Sequence, residues 1–453
     1  MSTLSEKISQ KTATIGVVGL GYVGLPLAVG FGEIGFSIIG LDLNAEKVAQ
    51  LNAGQSYIPD VPATAVTALV NARRFRADTD FAALKSADVI FICVPTPLDA
   101  QKGPDLRFVH AAAASIADIL RPGQLIILQS TTYPGTTTEV VLPELNKSGL
   151  TVGRDFFLAF SPERIDPGHV GSSGYDVHNT PKVVGGVTPV CTELAAQLLA
   201  TLTPHIHPVS SPAVAEMSKL LENTFRSVNI ALVNELTLLS QRMGIDIWEV
   251  IDAAKTKPFG FMPFYPGPGV GGHCIPVDPY YLAWKARAFD FHTKFIELAA
   301  EVNSAMPYFT FEQIAQGLNA AGKPVRGAEI LVLGVAFKRD IDDARNSPAQ
   351  RVIELLLDAG ASVRYADPFV REFSVGGNVF FPQKTPVERV ALTESTLSAA
   401  DCVAIITGHS TVDYGWVVAH SRMVFDAVNV TGNLSHDSNK ILRLGANKTI
   451  ITM

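Results

Sequence analysis

The chain has 453 residues, which is too long for one hydrophobic core and suggests about three domains. Hydrophobic residues make up 47% of the chain and charged residues 17%, so it can bury substantial cores. The formal net charge of −7 argues against a protein that works by coating nucleic acid or an anionic membrane. We therefore expect neither as a partner, and an anionic substrate would need a local basic pocket.

Composition also bears on location and metal content. The stretch "MSTLSEKISQK" is polar, and no later segment reaches the run of about 18 apolar residues that a membrane span needs, so we expect a cytoplasmic protein. Four cysteines, Cys93, Cys191, Cys274 and Cys402, do not make a disulfide framework in so long a chain. Their spacing is not typical of zinc ligands, and we expect no metal.

The first predicted element is a βαβ unit, an apolar run followed by a glycine turn, a helix-like segment and a second apolar run. Its glycines have the G-x-G-x-x-G spacing: the first allows a tight turn, the second lets the backbone approach a pyrophosphate, and the third lets helix pack on strand. Asp42 follows the second run and can accept the ribose hydroxyls of NAD while repelling the extra phosphate of NADP. The predicted NAD-binding residues here are Gly19, Gly21, Tyr22, Val23, Gly24 and Asp42.

Three more strand-like runs follow, "ADVIFICVPTP", "GQLIILQSTTYPG" and "FFLAFSPERIDPG". In a doubly wound sheet, ligands bind beyond the carboxyl ends of the strands, which places Thr96 and Thr131 to touch cofactor or substrate. Routine turn chemistry explains either threonine equally well. Glu163 lies at the mouth of the third run.

The longest helical signal follows "TPHIHPVSSP", with Ser211 as a cap and Pro212 in the first turn. Apolar residues then recur every three or four positions, which predicts one buried stripe. The stripe comprises Val214, Met217, Leu221, Phe225, Val228, Leu232 and Leu236. A second stripe is polar, with Glu216, Lys219, Asn223 and Arg226; it is either a solvated face or a pair of donors directed at one spot.

The segment "AEILVLGVAFKRDIDDARNSPAQRVIELLLDAGASVRYADP" repeats the order strand, glycine turn, helix and strand, and ends at Asp367. It lacks the full glycine fingerprint, so it suits a different nucleotide, and Lys338, Arg339 and Arg345 supply cations for phosphates. We predict an α/β fold in which a central long-helix domain joins two doubly wound Rossmann-like domains. The predicted boundaries are 1–205, 206–318 and 319–453.

The stretch "PGPGVGGHCIPVDPYYL" places Cys274 on a loop rich in Gly and Pro, with Asp278 four residues later. Together with "GLGYVGLPLA", "CVPTP", "STTYPG", "SPERIDPG", "AEMSKLLENTFRSVNIALVNE" and "LGVAFKRDIDDARNSP", it resembles the nucleotide-sugar dehydrogenase family, which includes UDP-glucose and GDP-mannose 6-dehydrogenases. The resemblance is colinear over nearly the whole chain. It implies an N-terminal NAD domain, a central dimerisation domain, a C-terminal domain that binds a UDP-sugar, and a homodimer or higher homo-oligomer.

The resemblance also implies the chemistry. Such enzymes oxidise the C6 alcohol of the sugar to a carboxylate with two NAD and release no aldehyde. A cysteine thiolate adds to the aldehyde, and the thiohemiacetal is oxidised to a thioester that water hydrolyses. Cys274 matches this nucleophile, while Cys93 and Cys402 lie in apolar runs and are predicted to be core residues.

The other roles are implied position by position. Lys219 and Asn223 match residues that stabilise negative charge on oxygen, and Asp278 and Thr131 match a pair that positions water or acts as base. Glu163 matches a glutamate of thioester hydrolysis. The implied substrate and cofactor contacts are Glu163, Arg164, Lys219, Asn223, His273 and Lys338 for the sugar nucleotide, and Thr96, Thr131 and Arg345 for NAD.

Two departures concern the substrate. Pro167 and His273 stand where the UDP-glucose branch has a second glutamate and a serine. "PERxxPG" and "GGHC" resemble the branch that oxidises N-acetylated hexosamines, and "GQSYIPDV" resembles UDP-N-acetylglucosamine 6-dehydrogenases in particular. UDP-N-acetylmannosamine, UDP-N-acetylgalactosamine and UDP-glucose stay open as alternatives. His273 either touches substrate or packs beside the loop.

Two other classes share part of this pattern. A β-hydroxyacid-type dehydrogenase transfers one hydride and needs neither Cys274 nor a second nucleotide domain. A non-enzymatic NAD-binding protein would keep the glycines and lose Lys219, Asn223 and Cys274. The presence of all three favours the nucleotide-sugar dehydrogenase.

Overall fold

The computed structural model describes residues 3–99, 101–165, 174–272, 274–434 and 438–446. The chain divides into two units, one of Met1–Glu222 with Tyr280–His292 and one of Asn223–Pro279 with Thr293–Met453. This division falls within one long helix, so the three domain boundaries given above stay a prediction. No helix in the described ranges combines the length and apolar character that crossing a membrane requires.

Eight strands build the sheet of the first unit. They are β1 (Thr14–Val18), β2 (Ser37–Leu41), β3 (Phe75–Asp78), β4 (Val89–Ile92), β5 (Leu125–Leu128), β6 (Phe157–Phe160), β7 (Lys182–Gly186) and β8 (Ile206–Pro208). Their order is β3-β2-β1-β4-β5-β6-β7-β8, and the pairs are parallel except for β6 with β7. Every residue of β4 and β5 is buried, as expected for parallel strands covered on both faces.

Helices flank this sheet in the order that the βαβ pattern predicts. They are α1 (Leu4–Ser9), α2 (Gly24–Glu33), α3 (Ala45–Asn52), α4 (Ala63–Asn71), α5 (Arg107–Ala117), α6 (Leu142–Asn146) and α7 (Pro189–Leu199). The core between helices and sheet includes Leu25, Phe31 and Phe91, all fully buried. The sheet thus holds the carboxyl ends of β1, β2, β4 and β5 side by side.

Four helices follow: α8 (Pro212–Met243), α9 (Ile247–Ala254), α10 (Asp278–Ala286) and α11 (Lys294–Ala320). The predicted start of α8 is confirmed, because the helix begins at Pro212 and the Ser211 hydroxyl accepts a hydrogen bond from the Val214 N–H at 3.4 Å. α11 continues through Pro307.

The predicted burial of the apolar stripe on α8 is wrong for the single chain. Leu221 is 62% exposed and Leu232 53% exposed, whereas the polar side chains of Glu216 and Asn223 are buried. The other exposed members of the stripe are Val214, Met217, Phe225 and Leu236, and Val228 is half-buried. Periodicity identifies an amphipathic helix but not what covers its apolar side.

In the second unit, hydrogen bonds of side-chain amides join α8 to α11. The Asn234 side chain donates to Asn303 Oδ1 at 2.9 Å, and Asn303 donates to the Ser227 carbonyl at 3.2 Å. Polar residues of α8 are therefore buried because they have partners there, and the apolar stripe faces outward.

The second unit carries a six-stranded parallel sheet and a small hairpin. Its strands are β9 (Glu329–Leu333), β10 (Ser362–Ala366), β11 (Ser374–Val375), β12 (Thr385–Pro386), β13 (Glu388–Arg389), β14 (Cys402–Ile405), β15 (Val424–Asp426) and β16 (Ile441–Arg443). The sheet order is β13-β10-β9-β14-β15-β16, with β11 and β12 forming the hairpin. The helices are α12 (Pro348–Asp358), α13 (Glu394–Ala399) and α14 (Tyr414–His420). The predicted fold class, two doubly wound sheets with long helices between them in sequence, is confirmed.

Candidate active site

The glycine turn after β1 has the geometry that its spacing predicts. Gly19 has φ of +90°, and a Cβ there would collide with the Cys93 carbonyl. A Cβ on Gly24 would collide with the Gly19 carbonyl, whereas a Cβ on Gly21 would meet nothing within 4 Å. The turn therefore needs glycine at Gly19 and Gly24, where backbone segments approach closely. It leaves open space at Gly21, where a pyrophosphate fits.

Asp42 lies directly after β2, at the carboxyl end of the strand next to β1. Its carboxylate is half-buried and accepts the Leu20 N–H at 3.1 Å and the Asn44 N–H at 3.0 Å. A carboxylate so placed beside a glycine turn suits the ribose hydroxyls of NAD. The residues present therefore fit NAD, with the turn holding its phosphates and Asp42 its ribose.

Thr96 and Thr131 follow β4 and β5, and the structure brings them together. The Thr96 hydroxyl donates to the Thr131 carbonyl at 2.8 Å. The buried Tyr281 hydroxyl donates to the Thr96 carbonyl. Hydrogen bonding thus fixes the two loops against each other at the edge of the sheet where the glycine turn lies.

Glu163, in the loop after β6, has a largely buried carboxylate, 11% exposed, with an unexpected partner. The Lys182 ammonium, fully buried on β7, lies 2.8 and 3.0 Å from its two oxygens. Gln129 Nε2 donates to Glu163 Oε2 at 3.0 Å, and the N–H groups of Arg164 and Ile165 donate to Oε1. Burial alone would raise the pKa of Glu163, but Lys182 and the backbone donors hold it below its usual value.

Lys182 was not predicted from the sequence. A signal was present, because a lysine inside the apolar run "KVVGG" of a buried strand needs an anionic partner. Glu163, Tyr22 and Val23 also line one cavity of about 480 Å³ in the first unit. The geometry therefore places a carboxylate with a lowered pKa beside the glycine turn.

Arg164, predicted to bind substrate, is paired with a carboxylate. Its guanidinium lies 2.8 Å from Glu222 Oε1 on α8 and donates to the Pro181 carbonyl at 3.0 Å. It therefore links the loop after β6 to the helix that carries Lys219.

Lys219 and Asn223 lie one turn apart on the same face of α8, as predicted. One turn before Lys219, the buried Glu216 carboxylate accepts hydrogen bonds from the Gly135 N–H at 2.5 Å and from the Thr137 N–H and hydroxyl at 2.9 and 2.7 Å. Burial raises the pKa of Glu216, and these donors offset only part of that rise. Glu216 is thus not on a solvated face: it fastens α8 to the loop that follows "STTYPG".

Cys274 lies one turn before α10 in the second unit. Its carbonyl accepts the N–H of Asp278 at 2.8 Å, and Asp278 in turn accepts a 2.5 Å hydrogen bond from the Asn223 side chain. Three predicted catalytic residues are therefore neighbours here.

Two other cysteines have raised pKa values. Burial raises the pKa of the Cys402 thiol to about 12, and burial with the nearby charge of Glu163 raises the pKa of the Cys93 thiol, so neither thiol ionises at neutral pH.

The glycines before Cys274 pack on the loop that carries Lys338 and Arg345. A Cβ on Gly271 or Gly272 would collide with Phe337, and Gly272 has φ of +84°. The Gly272 N–H donates to the Arg345 carbonyl at 3.1 Å. The glycine-rich sequence therefore allows the cysteine segment to approach the loop with the predicted substrate lysine.

That loop is itself held by a buried histidine that the sequence did not single out. The Asp340 N–H donates to His409 Nδ1 at 3.0 Å, and His409 Nε2 lies 3.0 Å from Asp367 Oδ2. Since Nδ1 accepts, Nε2 carries the proton and donates to the carboxylate. Arg345 has an exposed side chain paired with Asp343 at 2.6 Å.

The predicted catalytic residues thus divide between the units, with Thr131, Glu163 and Lys219 in the first and Asn223, Cys274 and Asp278 in the second. The two residues that distinguish branches of the family, Pro167 and His273, lie outside the described residues.

Comparison with known proteins covers most of the chain. It matches the UDP-glucose/GDP-mannose dehydrogenase family in three consecutive parts: the NAD binding domain over residues 13–203, the central domain over 213–305 and the UDP binding domain over 331–433. The UDP-N-acetyl-D-glucosamine 6-dehydrogenase of Pseudomonas aeruginosa is 40% identical over 362 residues, which cover 80% of this chain and 84% of that protein.

A curated relative and a solved structure from Pyrococcus horikoshii are also similar to the chain. A UDP-N-acetyl-D-mannosamine dehydrogenase is 37% identical over 79% of this chain and 84% of that protein. A solved UDP-D-ManNAc dehydrogenase structure has a TM-score of 0.85 at 31% identity and covers 96% of this chain and 99% of that one. With the glycine turn and Asp42 shaped for NAD, these matches show that the chain belongs to the UDP-glucose/GDP-mannose dehydrogenase family of NAD-dependent oxidoreductases.

Proposed function

We propose that the protein oxidises the C6 alcohol of a UDP-N-acetylhexosamine to a carboxylate in two steps, with UDP-N-acetylglucosamine as the substrate. The observation that carries the proposal is the cluster of Cys274, Asp278 and Asn223 beside the loop that bears Lys338. A single alcohol oxidation has no use for a thiol in this position, whereas a retained aldehyde requires a nucleophile.

Bound NAD supplies a hydride acceptor for each of the two oxidations. Lys219 and Asn223 stabilise negative charge on the sugar oxygen as each hydride leaves. The Cys274 sulfur adds to the C6 aldehyde, and its bond to carbon is kept through the second oxidation, which gives a thioester. Water then attacks the thioester carbon, releases the thiol and forms the carboxylate.

Glu163 has a narrower role in this scheme than a general acid. The Lys182 ammonium and the backbone donors keep its pKa below the usual value, so at neutral pH it has no proton to give. It serves as a fixed anion that orients the attacking water or its neighbours. Asp278, which accepts from Asn223, is the carboxylate of the second unit that fits proton removal from that water.

The choice of an N-acetylated sugar is supported by the relatives and by the motifs "PERxxPG" and "GGHC". The relatives named above act, by their names, on UDP-N-acetylglucosamine or UDP-N-acetylmannosamine, and the first is the more similar in sequence. A site built to pair the amide of an acetamido group penalises a sugar that lacks it, since its own polar groups are left unsatisfied.

The test of the substrate is a comparison of kcat/KM for UDP-N-acetylglucosamine, UDP-N-acetylmannosamine, UDP-N-acetylgalactosamine and UDP-glucose with NAD under one set of conditions. We expect UDP-N-acetylglucosamine to give the highest value. A higher value for another N-acetylated sugar overturns the choice of epimer, and a higher value for UDP-glucose overturns the N-acetylhexosamine assignment.

We also propose that two copies of the chain associate through α8. The stripe that includes Leu221, Phe225 and Leu232 is apolar and exposed, and Phe225 pairs edge-on with Phe264 with ring centroids 5.7 Å apart. A continuous apolar stripe of this length on a single chain favours burial in an interface.

Sedimentation velocity tests this association. Leu232→Glu should shift the protein from dimer towards monomer, whereas Val379→Glu, at an apolar residue 92% exposed on the hairpin of the second unit, should not. Equal sedimentation of wild type and both variants would contradict an α8 interface.

A further inference from the structure

The segment "GQSYIPDV", residues 54–61, contacts the glycine turn of the NAD site. It connects α3 to α4, and the Tyr57 hydroxyl donates to the Leu20 carbonyl at 2.7 Å. Both residues belong to the first unit. The motif that resembles a particular substrate branch therefore touches the cofactor turn.

This hydrogen bond completes the immobilisation of Leu20. The Leu20 side chain is fully buried and packs so closely on Gly40 that a Cβ there would lie 2.8 Å from Leu20 Cδ1. The Leu20 N–H donates to Asp42 Oδ2 at 3.1 Å. Side chain, N–H and carbonyl of Leu20 are thus each fixed by a different part of the unit.

Fixing the Leu20 carbonyl also fixes the next N–H. The peptide unit between Leu20 and Gly21 is planar and trans, so the Gly21 N–H points opposite to the carbonyl that Tyr57 binds. No acceptor among the described residues takes this N–H, and Gly21 has open space where a side chain would be. A free backbone N–H at the start of a helix after a glycine turn is a donor for phosphate oxygens.

Tyr57 is held in place before any ligand arrives. The neighbouring Ile58 and Val61 are buried in the core, and the Thr67 hydroxyl donates to the Gly54 carbonyl at 2.8 Å. The Lys47 ammonium lies 5.1 Å from the Tyr57 ring centroid. Burial and the negative charge of Asp42 raise the pKa of Tyr57, so its hydroxyl keeps its proton and goes on donating.

We propose that Tyr57 is a positioning residue of the NAD site, whose hydroxyl orients the Leu20–Gly21 peptide so that the Gly21 N–H meets the pyrophosphate. The segment from Gly54 to Val61 then serves cofactor binding and does not choose the sugar. This inference rests on NAD binding alone and holds whichever nucleotide sugar is oxidised.

The test is Tyr57→Phe, which keeps the ring and its packing and removes only the hydroxyl. NADH binding, followed by its fluorescence, should weaken about fivefold, the usual loss for one hydrogen bond of this kind. ADP-ribose, which has the pyrophosphate, should weaken by the same factor in competition with NADH, and AMP should change less. KM for NAD should rise while kcat and KM for the nucleotide sugar stay unchanged.

Ser56→Ala is the matched control, because among the described residues the Ser56 hydroxyl bonds to Ile58 within the same segment and not to the glycine turn. It should leave NADH binding unchanged. The proposal is overturned if Tyr57→Phe binds NADH as wild type does, if Ser56→Ala weakens binding equally, or if Tyr57→Phe changes the preference among nucleotide sugars at unchanged NADH affinity.

Discussion

The two doubly wound sheets share a framework but use the same acidic position in opposite ways. In each, an aspartate follows the strand beside the first one, Asp42 after β2 and Asp367 after β10. Each also has a glycine of positive φ after the first strand, Gly19 and Gly334, where a Cβ would collide with a carbonyl of the neighbouring strand's loop. The framework is therefore not what decides which sheet binds NAD.

The difference lies in what the carboxylate holds. Asp42 is half-buried and accepts one N–H of the glycine turn. Asp367 is 3% exposed and accepts the N–H groups of Val335 and Ala336 at 2.7 and 3.2 Å, besides His409. In the second sheet the protein's own carboxylate takes two N–H groups of the turn after the first strand, and it also lines a cavity of about 460 Å³.

The largest expected effect separates chemistry from cofactor binding. Cys274 belongs to the second unit, so Cys274→Ala should lower acid formation by at least about 10³-fold while leaving NADH binding by the first sheet unchanged. Enzyme assay and NADH fluorescence titration measure the two properties. Near wild-type turnover would show that this thiol is not the nucleophile.

Asp367→Asn probes the aspartate of the second sheet as a stability element. Removing the charge from a buried carboxylate with backbone and histidine donors should cost about 3 kcal/mol of unfolding free energy, with little change in NADH affinity. Chemical denaturation measures the first and fluorescence titration the second. Lost NADH binding in a folded variant would contradict the assignment of NAD to the first sheet.

The same carboxylate predicts a dependence of stability on pH. Burial raises the pKa of Asp367, but His409 and the N–H donors lower it more, to about 2 from the usual 3.8. A depressed pKa contributes stability above the unfolded-state value, and that contribution is lost as pH falls from about 4 to 2. Wild type should therefore lose about 2 kcal/mol over this range that Asp367→Asn does not lose.

Asp42→Asn is the counterpart in the first sheet. It should weaken NADH binding about tenfold and reduce the preference for NAD over NADP, because the charge that favours ribose hydroxyls and repels a phosphate is removed. Unfolding free energy should change little, since Asp42 is half-buried. Steady-state constants with both cofactors measure the preference, and an unaltered preference would remove Asp42 from the ribose site.

The pair of Glu163 and Lys182 can be compared with the pair of Asp367 and His409, since each carboxylate has a basic partner. The effect expected from removing the partner is smaller. Lys182→Met should raise the pKa of Glu163, because the backbone donors alone then oppose the effect of burial, and the acid limb of the pH profile for acid formation should move up by about one pH unit or more. Lys182→Arg keeps the charge and should restore the wild-type limb. An unmoved limb in Lys182→Met would show that ionised Glu163 is not needed for the reaction.

Most of the fold can be predicted from local patterns in the sequence. The glycine spacing, the apolar runs and the cap at Ser211 each act within a few residues, and these features appear where predicted. The burial of α8 was predicted wrongly because periodicity shows which side is apolar but not whether the same chain covers it. Whether the apolar stripe is buried depends on what packs against it.

The residue pairs that stabilise the candidate site cannot be predicted from local sequence patterns. Lys182 and Glu163 come from different elements of one unit, as do His409 and Asp340, and only the folded sheet brings each pair together. The individual site residues could be named because motifs mark them. Their partners could not, since hydrogen bonding between distant segments leaves no fixed spacing in the sequence.

The most direct test of the proposed chemistry is the number of NADH formed per UDP-N-acetylglucosamine consumed, with an aldehyde trap present and the product identified by mass. Retention of the aldehyde on Cys274 predicts two NADH for each carboxylate formed and no trapped aldehyde. One NADH per sugar, with aldehyde released to the trap, would contradict a covalent two-step oxidation and favour a single hydride transfer.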